Sequence, residues 1–149
     1  MSGDSTSGAG AAPALRPGLT GEYSLVVGPA ETAAGVGNDA ALTVLSTPHL
    51  LLALEMACHA AVRPALATGQ GVVGAAMTVK HLAPTPTGER VTARATLREV
   101  DGARLVFDAV AEDEHERIGE ARLETYVIDL ARFARRIARK AESPQAAEG

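Results

Sequence analysis

The spacing of apolar positions changes character twice along the chain. Residues 1–18 are mostly Gly, Ala, Ser and Pro with little to bury, and they predict a disordered tail ahead of a domain over 19–141. A first strand is predicted over Glu22–Val27. Small residues without periodicity follow from Pro29 to Leu45, a loop or lid long enough to suggest a role in function. Thr47-Pro48 then reads as a helix start, with the Thr47 hydroxyl as cap and proline at the first helical position. The run HLLLALEMACHAAV behind it is apolar on nearly all sides. A helix of that kind, from Pro48 to Val62, is expected inside a protein rather than on its surface.

From Val72 to Asp129 the period becomes two. Val73, Ala75, Met77, Val79 and His81 are predicted to share the face turned toward the helix. Val91, Ala93, Ala95 and Leu97 alternate with Arg and Thr, and Asp101-Gly102 signals a hairpin turn. Two further strands follow, the last over Arg117–Asp129. Leu130, Phe133 and Ile137 have the spacing of a short amphipathic helix, and 142–149 is a second expected tail. A helix apolar all round needs a sheet that curls over it, and consecutive antiparallel strands supply one. The expected class is therefore α+β. It is a curved antiparallel sheet of about five strands around one long buried helix, plus a short C-terminal helix: a hotdog fold.

Composition narrows the function. The net charge is -4 with no block of like charge, and there are no Trp, two Phe and two Tyr. Neither a phosphate-binding face nor a stacking platform is offered to nucleic acid, and flat cofactors find no aromatic seat. One cysteine excludes an internal disulfide framework and fits a reducing cytoplasm. No basic start leads into an apolar run, and no apolar stretch is long enough to span a bilayer, so a cytoplasmic protein without a membrane partner is expected.

Three polar residues stand out. Glu55 lies among Leu and Ala that are expected to be buried, where an unpaired carboxylate is costly. Its bland reading is a structural acid bonded to backbone or to His59 one turn on. His81 ends an apolar strand face, where a satisfied core histidine is the ordinary reading. Together, an acid and an imidazole aimed into one pocket make a general acid–base pair. Thr47 reads on local grounds as a cap, and a role as donor to a carbonyl oxygen beside the helix N-terminus is compatible with that. Eight residues of helix advance about 12 Å, however, so Thr47 and Glu55 cannot flank one carbonyl on a straight helix. Either Thr47 bends inward or a second copy supplies one member.

Other motifs carry less. Gly69-Gln70-Gly71-Val72-Val73-Gly74 matches G-x-G-x-x-G by letters, but a helix precedes it and a strand follows, the reverse of a dinucleotide site. Glu55, Cys58 and His59 share a helix face without the further ligands a metal needs, and Cys58 has no support as a nucleophile.

The segments TPHLLLALEMAC and GVVGAAMTVKHLAPTPTGERVTARATLREVDG resemble the fluoroacetyl-CoA thioesterase type of hotdog protein, over roughly Leu42 to Arg139. The resemblance implies hydrolysis of a short-chain acyl-CoA to acid and CoA, with Thr47, Glu55 and His81 as catalytic set and Gly74 against the substrate. Glu55 would be nucleophile or base. It implies a homodimer or dimer of dimers joined edge to edge, CoA as the substrate's carrier, and no metal or bound cofactor. Arg132, Arg135, Arg136 and Arg139 are available to its phosphates, or form the solvated face of a docked helix. The lid departs from the family: it lacks the aromatic gate of the fluoroacetyl enzyme, which removes the expected basis for fluorine selectivity. Two alternatives share the fold. One is a non-catalytic acyl-CoA or small-molecule binding protein. The other is an enoyl-CoA hydratase-like enzyme, against which stands the absence of a histidine after Asn38-Asp39.

Overall fold

The structure, a computed structural model, describes residues 14–142. Most of the tail expected over 1–18 and nearly all of that over 142–149 lie outside the described residues. Within the first of these, Leu15 already packs on the core and the Gly18 N–H donates to the Leu97 carbonyl. Five strands follow: β1 (Thr20–Val26), β2 (Gln70–His81), β3 (Arg90–Asp101), β4 (Arg104–Glu112) and β5 (Arg117–Asp129). They form one antiparallel sheet in the order β1-β3-β4-β5-β2, so β1 and β2 are its edges. Helix α1 (Thr47–Val62) lies across the concave face, and α2 (Leu130–Glu142) follows β5. This is the expected hotdog architecture.

The β3–β4 hairpin turns one residue later than its sequence signal. Asp101 still pairs with Arg104, and Gly102-Ala103 makes the turn. Gly102 has φ +60° while Ala103 keeps an ordinary negative φ, as a two-residue turn with glycine first requires.

Two bulges decide which residues face inward. In β2 the register slips between Gly74 and Ala76, opposite Thr125 and Glu124. Val72 packs on the core before the slip, and Met77 and Val79 after it. The inward set is therefore Val72, Gly74, Met77, Val79 and His81, which corrects the expectation for Val73 and Ala75. Strict alternation fails because the extra residue at a bulge reverses the parity of everything beyond it. β3 does the same between Leu97 and Glu99, turning Val100 rather than Glu99 to the core. Its earlier residues Val91, Ala93, Ala95 and Leu97 are buried as expected.

Helix α1 is not enclosed on all sides. Leu50, Ala53, Leu54, Ala57, Cys58, Ala61 and Val62 are buried, but Leu52 is 42% exposed and Leu51, Glu55, Met56 and His59 are only partly covered. The helix sits off-centre, against β1 and β3, and meets β2 only lightly. Its small-residue seam explains the offset. A Cβ on Gly21 of β1 would run into the Ala57 carbonyl and the Ala61 backbone, so glycine lets strand and helix approach closely. An open groove is left between α1 and β2.

The outer face of the sheet carries cross-strand ion pairs, Arg94 with Glu22 and Glu112, and Arg98 with Asp108. These account for the arginines that alternate with the core residues. α2 departs from its expectation as a docked helix, because none of its residues is buried. It is held at its first turn, where the Leu130 N–H donates to the Gly69 carbonyl and the Leu130 side chain covers Gly71. Its apolar stripe is too sparse to hold more: Leu130 and Ile137 are each at least half exposed.

Candidate active site

The helix start that positions Thr47 is built one residue earlier than the sequence suggests. Ser46 is the cap: its hydroxyl accepts from the His49 N–H at 3.2 Å and lies 2.8 Å from His49 Nδ1. Thr47 is thereby the first helical residue and Pro48 the second. The capping duty having passed to Ser46, the Thr47 hydroxyl is free to do something else. It lies 2.8 Å from Nδ1 of His81, at the far end of β2. Two residues 34 apart in sequence are joined because α1 begins where β2 ends.

The lid delivers the chain to this point. The Leu45 N–H donates to the Thr85 carbonyl and the Ser46 N–H to that of Glu31, while Thr32 and Leu45 are buried and bridged. The segment Pro29 to Leu45 is thus a strapped loop with two short 3-10 turns, Pro29–Glu31 and Ala34–Val36.

His81 is half-buried, and loss of solvent pushes its imidazole below the usual histidine value. Burial therefore favours its neutral form, the one able to accept a proton. Its Nε2 is buried and has no hydrogen-bond partner among the described residues. Gly119, opposite His81 in the ladder, leaves room for the Leu50 side chain beneath the site.

Glu55 is placed elsewhere. Its side chain is 34% exposed, not buried as its neighbours in sequence suggest, because it lies on the uncovered side of α1. One carboxylate oxygen, Oε2, abuts Gly74: a Cβ there would stand 2.6 Å from it. His59 Nε2 is 3.6 Å from the same oxygen. Glu55 and Gly74 line a groove of about 270 Å³ with Leu51, Ala75, Met77 and Leu123. Neither Thr47 nor His81 lines it. Along β2, seven residues separate Gly74 from His81, a span of about 20 Å. Within one chain the structure thus forms two separate clusters, Thr47 with His81 and Glu55 with Gly74.

Cys58 takes no part. It is fully buried, and burial together with the Glu55 charge pushes its thiol up to about 12, so it offers no thiolate near neutrality. Among the described residues no group of three or more His, Cys, Asp or Glu stands close enough to hold a metal. No helix there is long and apolar enough to cross a membrane. Sequence reasoning missed Ser46, His49 and Gly119. Of these only Ser46 left a signal, as a hydroxyl followed two residues later by proline.

Comparison with known proteins gives a consistent answer. Residues 27–131 match the family described as fluoroacetyl-CoA-specific thioesterase. A fluoroacetyl-CoA thioesterase of Streptantibioticus cattleyicolor is 38% identical over 97 residues, 65% of this chain and 70% of that protein. A crystal structure of a mutant fluoroacetyl-CoA-specific thioesterase superposes with a TM-score of 0.79 at 33% identity, over 86% of this chain and 98% of that one. Another mutant of the fluoroacetyl-CoA enzyme, in complex with acetyl-CoA, superposes at 0.78 with 33% identity, over 85% and 98%.

Proposed function

This chain belongs to the fluoroacetyl-CoA-specific thioesterase family and is a thioester hydrolase, and on that premise we propose that it cleaves short-chain acyl-CoA thioesters with Thr47, Glu55 and His81. The observation that carries the proposal is the 2.8 Å contact between Thr47 Oγ1 and His81 Nδ1, a hydroxyl and a neutral imidazole meeting at a helix N-terminus. Pro48 has no N–H and Ser46 takes that of His49, so Thr47 offers the donors there: its own N–H and, with His81 Nδ1–H donating to Oγ1, its hydroxyl. These hold the thioester carbonyl and its developing oxyanion. In one route Glu55 attacks the carbonyl and the C–S bond breaks to release CoA thiolate. Water then opens the resulting anhydride, while neutral His81 takes the water's proton and passes it to the thiolate. In the other, Glu55 takes the proton of a water that attacks the carbonyl, and that proton ends on the departing CoA thiolate. No metal or bound cofactor takes part, and CoA enters as the carrier.

The two clusters meet in a homodimer. β2 is an edge strand, and beside it the exposed Leu52 and the open flank of α1 leave apolar surface uncovered. Two copies of β2 pairing antiparallel about a two-fold axis at Thr78 would set Met77 opposite Val79 of the second copy and, past the bulge at Ala75, Gly74, and with it Glu55, opposite His81 of the second copy. Such dimers can pair again into a dimer of dimers. Gly74 lets the substrate lie against the strand backbone. A free thiol at Cys58 fits a cytoplasmic location. The groove walls are small or flexible, and the lid from Pro29 to Leu45 holds no aromatic. Short acyl groups should therefore enter with little preference for fluorine.

Release of free thiol from a panel of acyl-CoA thioesters tests the activity, and no release from any member would favour a binding protein instead. Subunit mixing tests the site. Glu55→Gln and His81→Ala are each expected to be inactive. Exchanging them should restore about a quarter of the sites, because each mixed dimer holds one intact Glu55–His81 pair. No recovery in proven mixed dimers would rule out a shared site.

A further inference from the structure

We propose, resting on the reading of Glu55 as a reacting carboxylate, that His59 is a positioning residue that fixes which Glu55 oxygen reaches the substrate. The two residues lie one turn apart on the open flank of α1, where side chains at this spacing meet. His59 Nε2 stands 3.6 Å from Glu55 Oε2, a separation that a small side-chain rotation closes to a hydrogen bond. That nitrogen is buried and has no hydrogen-bond partner among the described residues, although a quarter of the side chain is exposed. A buried ring nitrogen without a partner is costly, and the acceptor next to it is this carboxylate.

The same oxygen is also crowded by β2. Oε2 fills the space that a side chain at position 74 would need. Oε2 is therefore the oxygen that neighbours both Gly74 and the His59 imidazole, while Oε1 is more than 4 Å from a Cβ placed on Gly74. The last torsion of a glutamate is broad and two-fold, so an unheld carboxylate turns easily. A ring N–H bound to Oε2 stops that turning and presents the Oε1 lone pairs in one direction. This is the pre-positioning that attack on a carbonyl or a water requires. His59 does not reach the reacting atoms in this arrangement; it acts through Glu55. Cys58, its neighbour in sequence, faces the core and cannot substitute for it.

The experiment uses the full chain and compares wild type with His59→Phe, His59→Gln and Glu55→Gln. Phenylalanine keeps the ring and loses the N–H, whereas glutamine keeps an N–H donor at similar reach. His59→Phe is expected to lower kcat by about 10–100-fold with KM within about threefold, the pattern of a misaimed reacting group. His59→Gln should recover most of that loss. The Glu55 side-chain carboxyl 13C resonance, recorded without substrate, should move in His59→Phe and return toward its original position in His59→Gln. Circular dichroism confirms that each variant is folded. An unmoved carboxyl resonance overturns the proposal whatever the turnover. So does a wild-type kcat in His59→Phe while Glu55→Gln is inactive, which leaves the Glu55 reading intact. Wild-type turnover in Glu55→Gln overturns the Glu55 reading itself, and this proposal with it.

Discussion

Thr47 Oγ1 and His81 Nδ1 lie 2.8 Å apart and tie the first residue of α1 to the last residue of β2. The contact exists because Ser46, not Thr47, caps the helix. Thr47→Ser keeps the hydroxyl and should retain most of the activity. Thr47→Val keeps the shape and removes the donor, and a lost oxyanion donor lowers kcat by about 10²–10³-fold. Steady-state kinetics on a single acyl-CoA substrate decides between these outcomes.

Ser46→Ala should act on stability first. It removes the hydroxyl that accepts from the His49 N–H and contacts the His49 ring, and loss of such a cap costs about 0.5–2 kcal/mol. Thermal unfolding should show a lower Tm with KM little changed.

His81 gives a pH signature. Burial lowers its folded-state pKa below the unfolded value, so between the two the unfolded chain binds more protons. Its contribution to stability is fully present above about pH 6.5 and is lost as pH falls through the folded pKa. Tm should therefore decline on acidification below about pH 6.5, and His81→Gln should lack that component. The acid limb of kcat/KM should likewise fall at a pKa lower than that of a free histidine.

Gly74→Ala should separate activity from folding. The new methyl would stand 2.6 Å from Glu55 Oε2, the end of a side chain that can swing away. Chain stability is expected to change little, while turnover falls because the carboxylate is displaced. A wild-type rate would show that the position of Glu55 against β2 does not matter.

Gly21→Ala should do the opposite. Its methyl would meet the backbone of Ala57 and Ala61, which cannot move without shifting α1. Overpacking of this kind costs about 1–3 kcal/mol or more, so Tm should drop in urea or thermal melts whether or not activity survives.

The local pattern of residues determined most of the architecture. Four of the five strands, α1, the hairpin near Gly102 and the inward faces of Val91 to Leu97 follow from periodicity and turn chemistry, which are short-range properties. β1 was legible within about two residues. Glu55 and His81 were visible as polar residues interrupting apolar runs, though nothing in the sequence told which of them would meet which. Tertiary structure alone decided that. The bulge at Ala75 reversed the parity of β2, so that Gly74 and His81 share a face despite odd spacing. The Gly21 seam drew α1 toward β1 and left Glu55 on an open flank rather than in a core. Sequence fixes propensities residue by residue. The offset of a helix on a sheet and the register of an edge strand are set by long-range packing between segments dozens of residues apart, where each contact depends on all the others.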